Sequence, residues 1–182
     1  MTRTGRRGRL WGGAALAAAV VVAVALYWLQ PWKLWQDETV REALPAAAAP
    51  SGPGAPAAVP GAQTAPVTIA RGTLISHEHA TTGAVELIRL SDGSHTLRLA
   101  DLDTSNGPDL RVWLADAPVK EGVAGWRVFD DGKHVSLGKL KGNKGDQNYP
   151  VPADVNVAEF TSVTIWCDRF DVSFGAASLT AV

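Results

Sequence analysis

The sequence predicts an all-β fold, an antiparallel β-sandwich, carried behind one transmembrane helix and a Pro/Ala-rich stalk. Three observations lead there. Short runs of alternating apolar and polar residues recur through the second half of the chain. Clusters of Gly, Asn and Asp separate these runs, as turns separate the strands of a sandwich. No run beyond the Pro-rich stretch has the apolar period of a helix.

At the N-terminus, Arg3, Arg6, Arg7 and Arg9 precede "LWGGAALAAAVVVAVALYWL", residues 10–29, which carries no charge. At 1.5 Å per residue this run spans roughly 30 Å, the thickness of a bilayer core. Tyr27, Trp28, Trp32 and Trp35 gather at its outer end, where amphipathic rings favour the membrane–water interface. A cleaved signal peptide has a shorter apolar core and a small-x-small cleavage site. This run is longer, ends in large aromatics, and has no nearby cysteine to carry a lipid. The expectation is an uncleaved signal-anchor in the cell membrane, single-pass, with residues 1–9 as a cytoplasmic basic tail and residues 10–29 as the anchor. Everything after it is then extracellular or extracytoplasmic.

Residues 30–69 join anchor to domain. "PWKLWQDETVREALP" is mixed and amphipathic, with the look of a short interfacial helix. The stretch that follows, to residue 66, is almost wholly Pro, Ala and Gly. Nothing there can bury a core, and its prolines favour extended polyproline II. It reads as a stalk that holds the domain away from the bilayer. Residues 70–182 remain for one core, with 11 Lys and Arg against 15 Asp and Glu, a net charge of −4. That balance argues against nucleic acid and against docking on anionic lipid heads.

In chain order, "AVELIRL" at residues 84–90 is a first, weak alternation. "TLRLA" puts Leu97 and Leu99 on one face and Arg98 on the other. "DLRVWLA" points Leu110, Val112 and Leu114 inward, with Arg111 and Trp113 outward. "HVSLGKL" at residues 134–140 repeats the pattern. Turns are expected at "SDGS", "TSNGPD", "DDGK" and "KGNKGD". "PADVNVAEF" has room for one helical turn at most. In "SVTIWCDRFDVSF", Val163, Ile165 and Cys167 share one face, whereas Phe170, Val172 and Phe174 lie on the opposite parity. One strand cannot bury both sets, so a turn or bulge is expected at Asp168–Arg169. Cys167 then ends a strand on its core-facing side, near a surface without being fully exposed.

The chain has no nucleophile elbow, P-loop, H-E-x-x-H or C-x-x-C, so no hydrolase or other motif-bearing enzyme is expected. "HEH" places His77 and His79 on one face if the segment is an extended strand, a spacing that can chelate a metal; two ligands alone do not make a site. Cys167 is the only cysteine. Thiolate with imidazole is the donor set of copper, zinc or haem iron, although a free cysteine also serves as a small buried hydrophobe. Asp103, Asn106 and Asp109 in "DTSNGPDL" are oxygen donors, but their turn setting favours capping of their own backbone over calcium.

Four blocks in order resemble the DM13 domain, described as electron transfer DM13: "GTLISHEHATTGAVEL", "LRLADLDTSNGPDLRVWLA", "LGKLKGNKGDQNYPVP" and "VTIWCDRFDVSFGAASL". The resemblance covers residues 71–179. It implies a redox role for the cysteine matched by Cys167, as a bare thiol or as a ligand to metal or haem. His79 falls where the family's histidine falls, which makes it the better partner for Cys167. His77 and His95 match nothing in the family pattern. In animals, similar domains accompany DOMON domains, some of which bind haem.

Two functions follow. The first is a membrane-tethered electron-transfer or redox module with Cys167 as its working group, His79 as partner, haem or a copper-type metal as the candidate cofactor, and an extracytoplasmic redox partner. The second is a non-catalytic binding or adhesion module in which Cys167 is core and Trp113 and Trp126 form an aromatic contact surface.

Overall fold

The structure is a computed structural model that describes residues 4–44 and 65–182. Most of the expected stalk, residues 45–64, and the first three residues lie outside the described residues. Helix α1 (Thr4–Leu29) is the one described helix long and apolar enough to cross a membrane, and none of its Gly12–Leu29 window is buried against protein. An anchor and a signal sequence share that appearance. The helix stops where Gln30 adopts a left-handed φ of 46° and Pro31 opens a 3-10 turn, Pro31–Trp35.

The rest of the expected interfacial helix is instead extended. Thr39–Arg41 forms strand β1. Ten more strands follow: β2 (Val67–Thr73), β3 (Ile75–Ser76), β4 (Thr82–Arg89), β5 (His95–Asp103) and β6 (Leu110–Ala115), then β7 (His134–Lys139), β8 (Lys144–Val151), β9 (Ser162–Cys167), β10 (Val172–Ser178) and β11 (Thr180–Ala181). They build two sheets, ordered β1-β8-β5-β4-β2-β11 and β3-β10-β9-β6-β7. All pairings are antiparallel except β1 with β8, which is parallel, so the first sheet is mixed and the sandwich is not purely antiparallel. The cause is the direction of entry: the chain comes from α1 to β1 at the end of the sheet where β8 also begins.

The glycines of "KGNKGD" accommodate β1. Gly145 has a φ of 93°, and a Cβ there would strike the Val40 carbonyl; one at Gly142 would strike that of Glu38. The expected turn is therefore partly strand, since β8 starts at Lys144. Side chains fasten the strap further. Asn143 donates to Asp37 at 2.8 Å and accepts from the Glu38 N–H at 2.7 Å. Glu42 pairs with Lys141 and accepts from the Asn148 N–H, both at 2.7 Å.

Between the sheets lies the main core, holding Leu97, Leu99, Leu110, Val112, Leu114, Val163, Ile165 and Cys167 on the predicted faces. The second sheet is also covered outside. Trp113 and Trp166, on the opposite parity, pack with Phe129 and Ala117 from the loop between β6 and β7. Trp113 is 6% exposed, and Trp126 packs against the main core. Trp113 thus offers no exposed aromatic face, because the loop folds back and covers it, while Trp126, in that loop, is half-buried.

Candidate functional site

Cys167 is the last residue of β9, paired with Leu110 on β6 and Val172 on β10. Asp168 to Asp171 form the expected reversal, with the Phe170 N–H donating to the Cys167 carbonyl at 3.2 Å and Asp171 at a φ of 49°. Backbone N–H groups of Arg169 and Phe170 in the turn, and of Asp109 in the neighbouring loop, lie near enough to act electrostatically on the thiol. These donors favour the thiolate. Burial acts in the opposite sense and dominates, with Glu78 reinforcing it, so the thiol sits above its ordinary value of 9.0. The sulfur is buried, beside the exposed Asp168–Asp171 turn.

The acidic side chains nearest Cys167 in sequence and on the adjoining loop face cations. The Asp168 carboxylate is 3.0 Å from Arg111 Nε, and Asp109 lies 3.5 Å from the same guanidinium and 3.6 Å from Lys139. The charge acting on the sulfur belongs to Glu78, which follows β3 and donates its N–H to Ser173 of β10, the hairpin partner of β9.

"HEH" is not a strand. β3 ends at Ser76, and residues 77–79 bend, which sends the two imidazoles apart. His77 is buried beside Phe129, its Nδ1 2.7 Å from Ser173 Oγ and its Nε2 3.0 Å from the Lys120 carbonyl. Because a carbonyl can only accept, Nε2 carries the proton and Nδ1 accepts from Ser173. His79 turns the other way and stacks on Phe174, a member of the core cluster that contains Cys167. Burial lowers its pKa, against the opposing pull of Glu78, whose carboxylate is 4.0 Å away.

His79 and Glu78 line a cavity of about 130 Å³ together with Gly107, Pro108, Phe170 and Phe174. Leu29, Gln30, Lys33 and Leu34 form its opposite wall. This cavity is therefore closed by the segment that follows α1. A larger hollow of about 790 Å³, beside β2 and β4, is lined by no cysteine or histidine.

The donors do not suit a metal or haem. Among the described residues no three His, Cys, Asp or Glu side chains converge, whereas copper and zinc sites need three or four ligands. The cavity by His79 is well below the roughly 300–1,000 Å³ of cofactor pockets. In "DTSNGPDL", Asn106 Oδ1 accepts from the Gly107 N–H at 2.8 Å, the backbone-capping role expected of it.

A family model described as electron transfer DM13 matches residues 73–179. The chain belongs to the DM13 family. No curated protein and no solved structure matches it. The DM13 match takes in Cys167, both histidines of "HEH", Glu78 and the whole β9–β10 hairpin. It leaves out the helix, the 3-10 turn and β1.

In sequence, Glu78, Phe174 and the Leu29–Leu34 wall gave no sign of belonging to the site. Glu78 was legible only as the middle of "HEH", where a strand would have pointed it away from both histidines. The bend after Ser76 reverses that geometry.

Proposed function

We propose that this DM13 protein is a membrane-tethered, extracytoplasmic redox module whose working group is the Cys167 thiol, with His79 at the mouth of its site. The observation that carries this reading is the match of residues 73–179 to the electron transfer DM13 family, a stretch that holds the chain's lone cysteine where β9 meets the Asp168–Asp171 reversal. No metal or haem enters the reading. Its helix serves as an uncleaved anchor, with the arginines in the cytoplasm.

The test uses the full chain in detergent or nanodiscs under native conditions. Hydrogen peroxide should convert the thiol to sulfenic acid, breaking the O–O bond, moving two electrons from sulfur to oxygen and releasing water. Dimedone traps the product, and Cys167→Ser gives the blank. Circular dichroism reports that the fold persists. Adduct formed in folded protein supports the reading; adduct formed only after unfolding overturns it. Protease added to spheroplasts should separately remove the DM13 domain and leave a membrane-embedded stub. Free release of mature protein would sink the anchor.

Complete burial of the sulfur favours the second reading, a non-catalytic binding or adhesion module with Cys167 in the core. Native inertness towards peroxide is its signature.

A further inference from the structure

The DM13 domain has two ends, and the anchor reaches only one of them. Asp103 of β5 pairs with Lys144 of β8, next to Thr39 of β1. His95, at the other end of β5, pairs with Arg89 and Val151. The nine residues of β5 separate the ends by roughly 30 Å. The chain leaving α1 meets the first end, and so do Cys167, the Asp168–Asp171 turn and His79.

Contact at this end begins within the helix itself. Arg169 donates to the Trp28 carbonyl, and its guanidinium carbon is 4.8 Å from the Trp28 ring centre. Asn106 reaches the Gln36 carbonyl at 3.3 Å, and Asp37 binds Asn143 and Lys144. Strand β1 follows at once. These attachments all precede the Pro-rich segment, which the chain enters after Glu42 and Ala43 are bound to β8 and leaves to form β2 of the same sheet. The height of the domain above the helix is accordingly fixed before residue 45, by the 3-10 turn and β1. The expected stalk joins two strands of one sheet.

We propose that the Cys167 end of the DM13 domain rests on the bilayer, with the β9–β10 turn in the phospholipid headgroup layer. The inference rests on the anchor reading of α1. The occupant follows from continuity: Trp28 ends a bilayer-length helix and already touches Arg169, so lipid that surrounds Trp28 reaches the turn. Exposed Trp32 and Trp35, with Phe170 at the turn, supply interfacial side chains at this end. Its charges are mixed, Lys33, Arg169 and Lys139 against Asp37, Glu38 and Asp168, so contact needs no anionic lipid. Reactants of the thiol site would then arrive from the membrane interface.

The experiment places p-benzoylphenylalanine at Phe170, at Arg169, or at Asp92 in the far-end turn, in the full chain in phosphatidylcholine nanodiscs. After irradiation, mass spectrometry counts phospholipid adducts. Positions 170 and 169 should carry adducts at least tenfold above position 92. A long Gly-Ser insertion after Trp35 should abolish them, while the same insertion within residues 45–64 leaves them unchanged. Equal adducts at both ends, none at 169 and 170, or sensitivity to the second insertion alone overturns the proposal with the anchor intact. A mature chain whose mass lacks the helix overturns the anchor reading and the proposal together.

Discussion

His79 lies over Phe174 with ring centres 3.9 Å apart and planes tilted by 31°. The stack covers one side of the core cluster that holds Cys167, and it separates the packing role of the imidazole from its chemistry. His79→Phe should keep the stack and the thermal stability but slow peroxide oxidation of Cys167 several-fold. His79→Ala should do both harms, with a stability loss of about 1 kcal/mol. Unchanged oxidation in His79→Phe would leave His79 as a packing residue.

Cys167 gives a pH prediction. Its folded pKa is raised, mainly by burial, so its contribution to stability is complete below the unfolded value and is lost as pH climbs through the folded one. Stability of the wild type should therefore fall above pH 9.0, and Cys167→Ala should lack that share of the loss. Native alkylation should be slow and gain about tenfold per pH unit below the folded pKa, following the thiolate fraction. A pH-independent rate would refute the assignment.

His77 carries the opposite sign. Burial depresses its pKa from 6.5, so its stabilising share is present above that value and disappears as pH falls through the lower folded pKa. The run Thr164–Ser173–His77–Lys120, with Thr164 Oγ1 2.8 Å from Ser173 Oγ, is satisfied with a neutral ring. Denaturant titrations should show a loss of stability from pH 6.5 downwards. His77→Ala should remove that slope and cost roughly 2–3 kcal/mol.

At β8, the Tyr149 hydroxyl donates to Gln147 at 2.6 Å and accepts from the Lys141 N–H at 3.0 Å. Burial pushes its pKa up to about 12. Its share of stability holds below pH 10.0 and is lost towards 12. Tyr149→Phe should cost about 1 kcal/mol at neutral pH and flatten the alkaline part of the stability curve. Spectrophotometric titration of the phenolate checks the pKa directly.

Strand β1 can be removed at a single residue. Gly145→Ala places a methyl against the Val40 carbonyl and strains a positive φ, which should cost about 1–3 kcal/mol. Hydrogen exchange at Val40 should rise in this variant while β5 and β9 stay protected. If exchange at Val40 is unaltered, β1 does not depend on the close approach.

Alternation alone located β4, β5, β6, β7 and both strands of the Cys167 hairpin, because each has one face on the core and hydrophobic order fixes the parity of Leu97, Val112 and Cys167. It missed β2, β3 and β11, and three further features show why it falls short. β1 has three residues, and polar partners on β8 hold it instead of apolar contacts. β8 opens with Lys144, Gly145 and Asp146, the residue types of a turn. Trp113 alternates correctly to the outer face, but only the fold of a distant loop shows that this face is covered. Cys167 and His79 were singled out from the sequence; that Glu78 and the Leu29–Leu34 wall line a cavity with His79 required the bend after Ser76 and the docking of Leu29–Leu34.

Strand β1 also bears on how the domain behaves when the segment before β2 is removed. It terminates a sheet whose next strand, β8, would otherwise offer unsatisfied N–H and C=O groups to any neighbouring chain. Glu42 and Ala43 continue the cover by binding Asn148. A recombinant fragment that starts at Val67 exposes this bare edge, and one that starts at the family boundary near Thr73 also loses β2 and bares β4. Such a fragment is predisposed to pair edge to edge and precipitate at high concentration. Keeping residues 36–44 in the chain provides the guard.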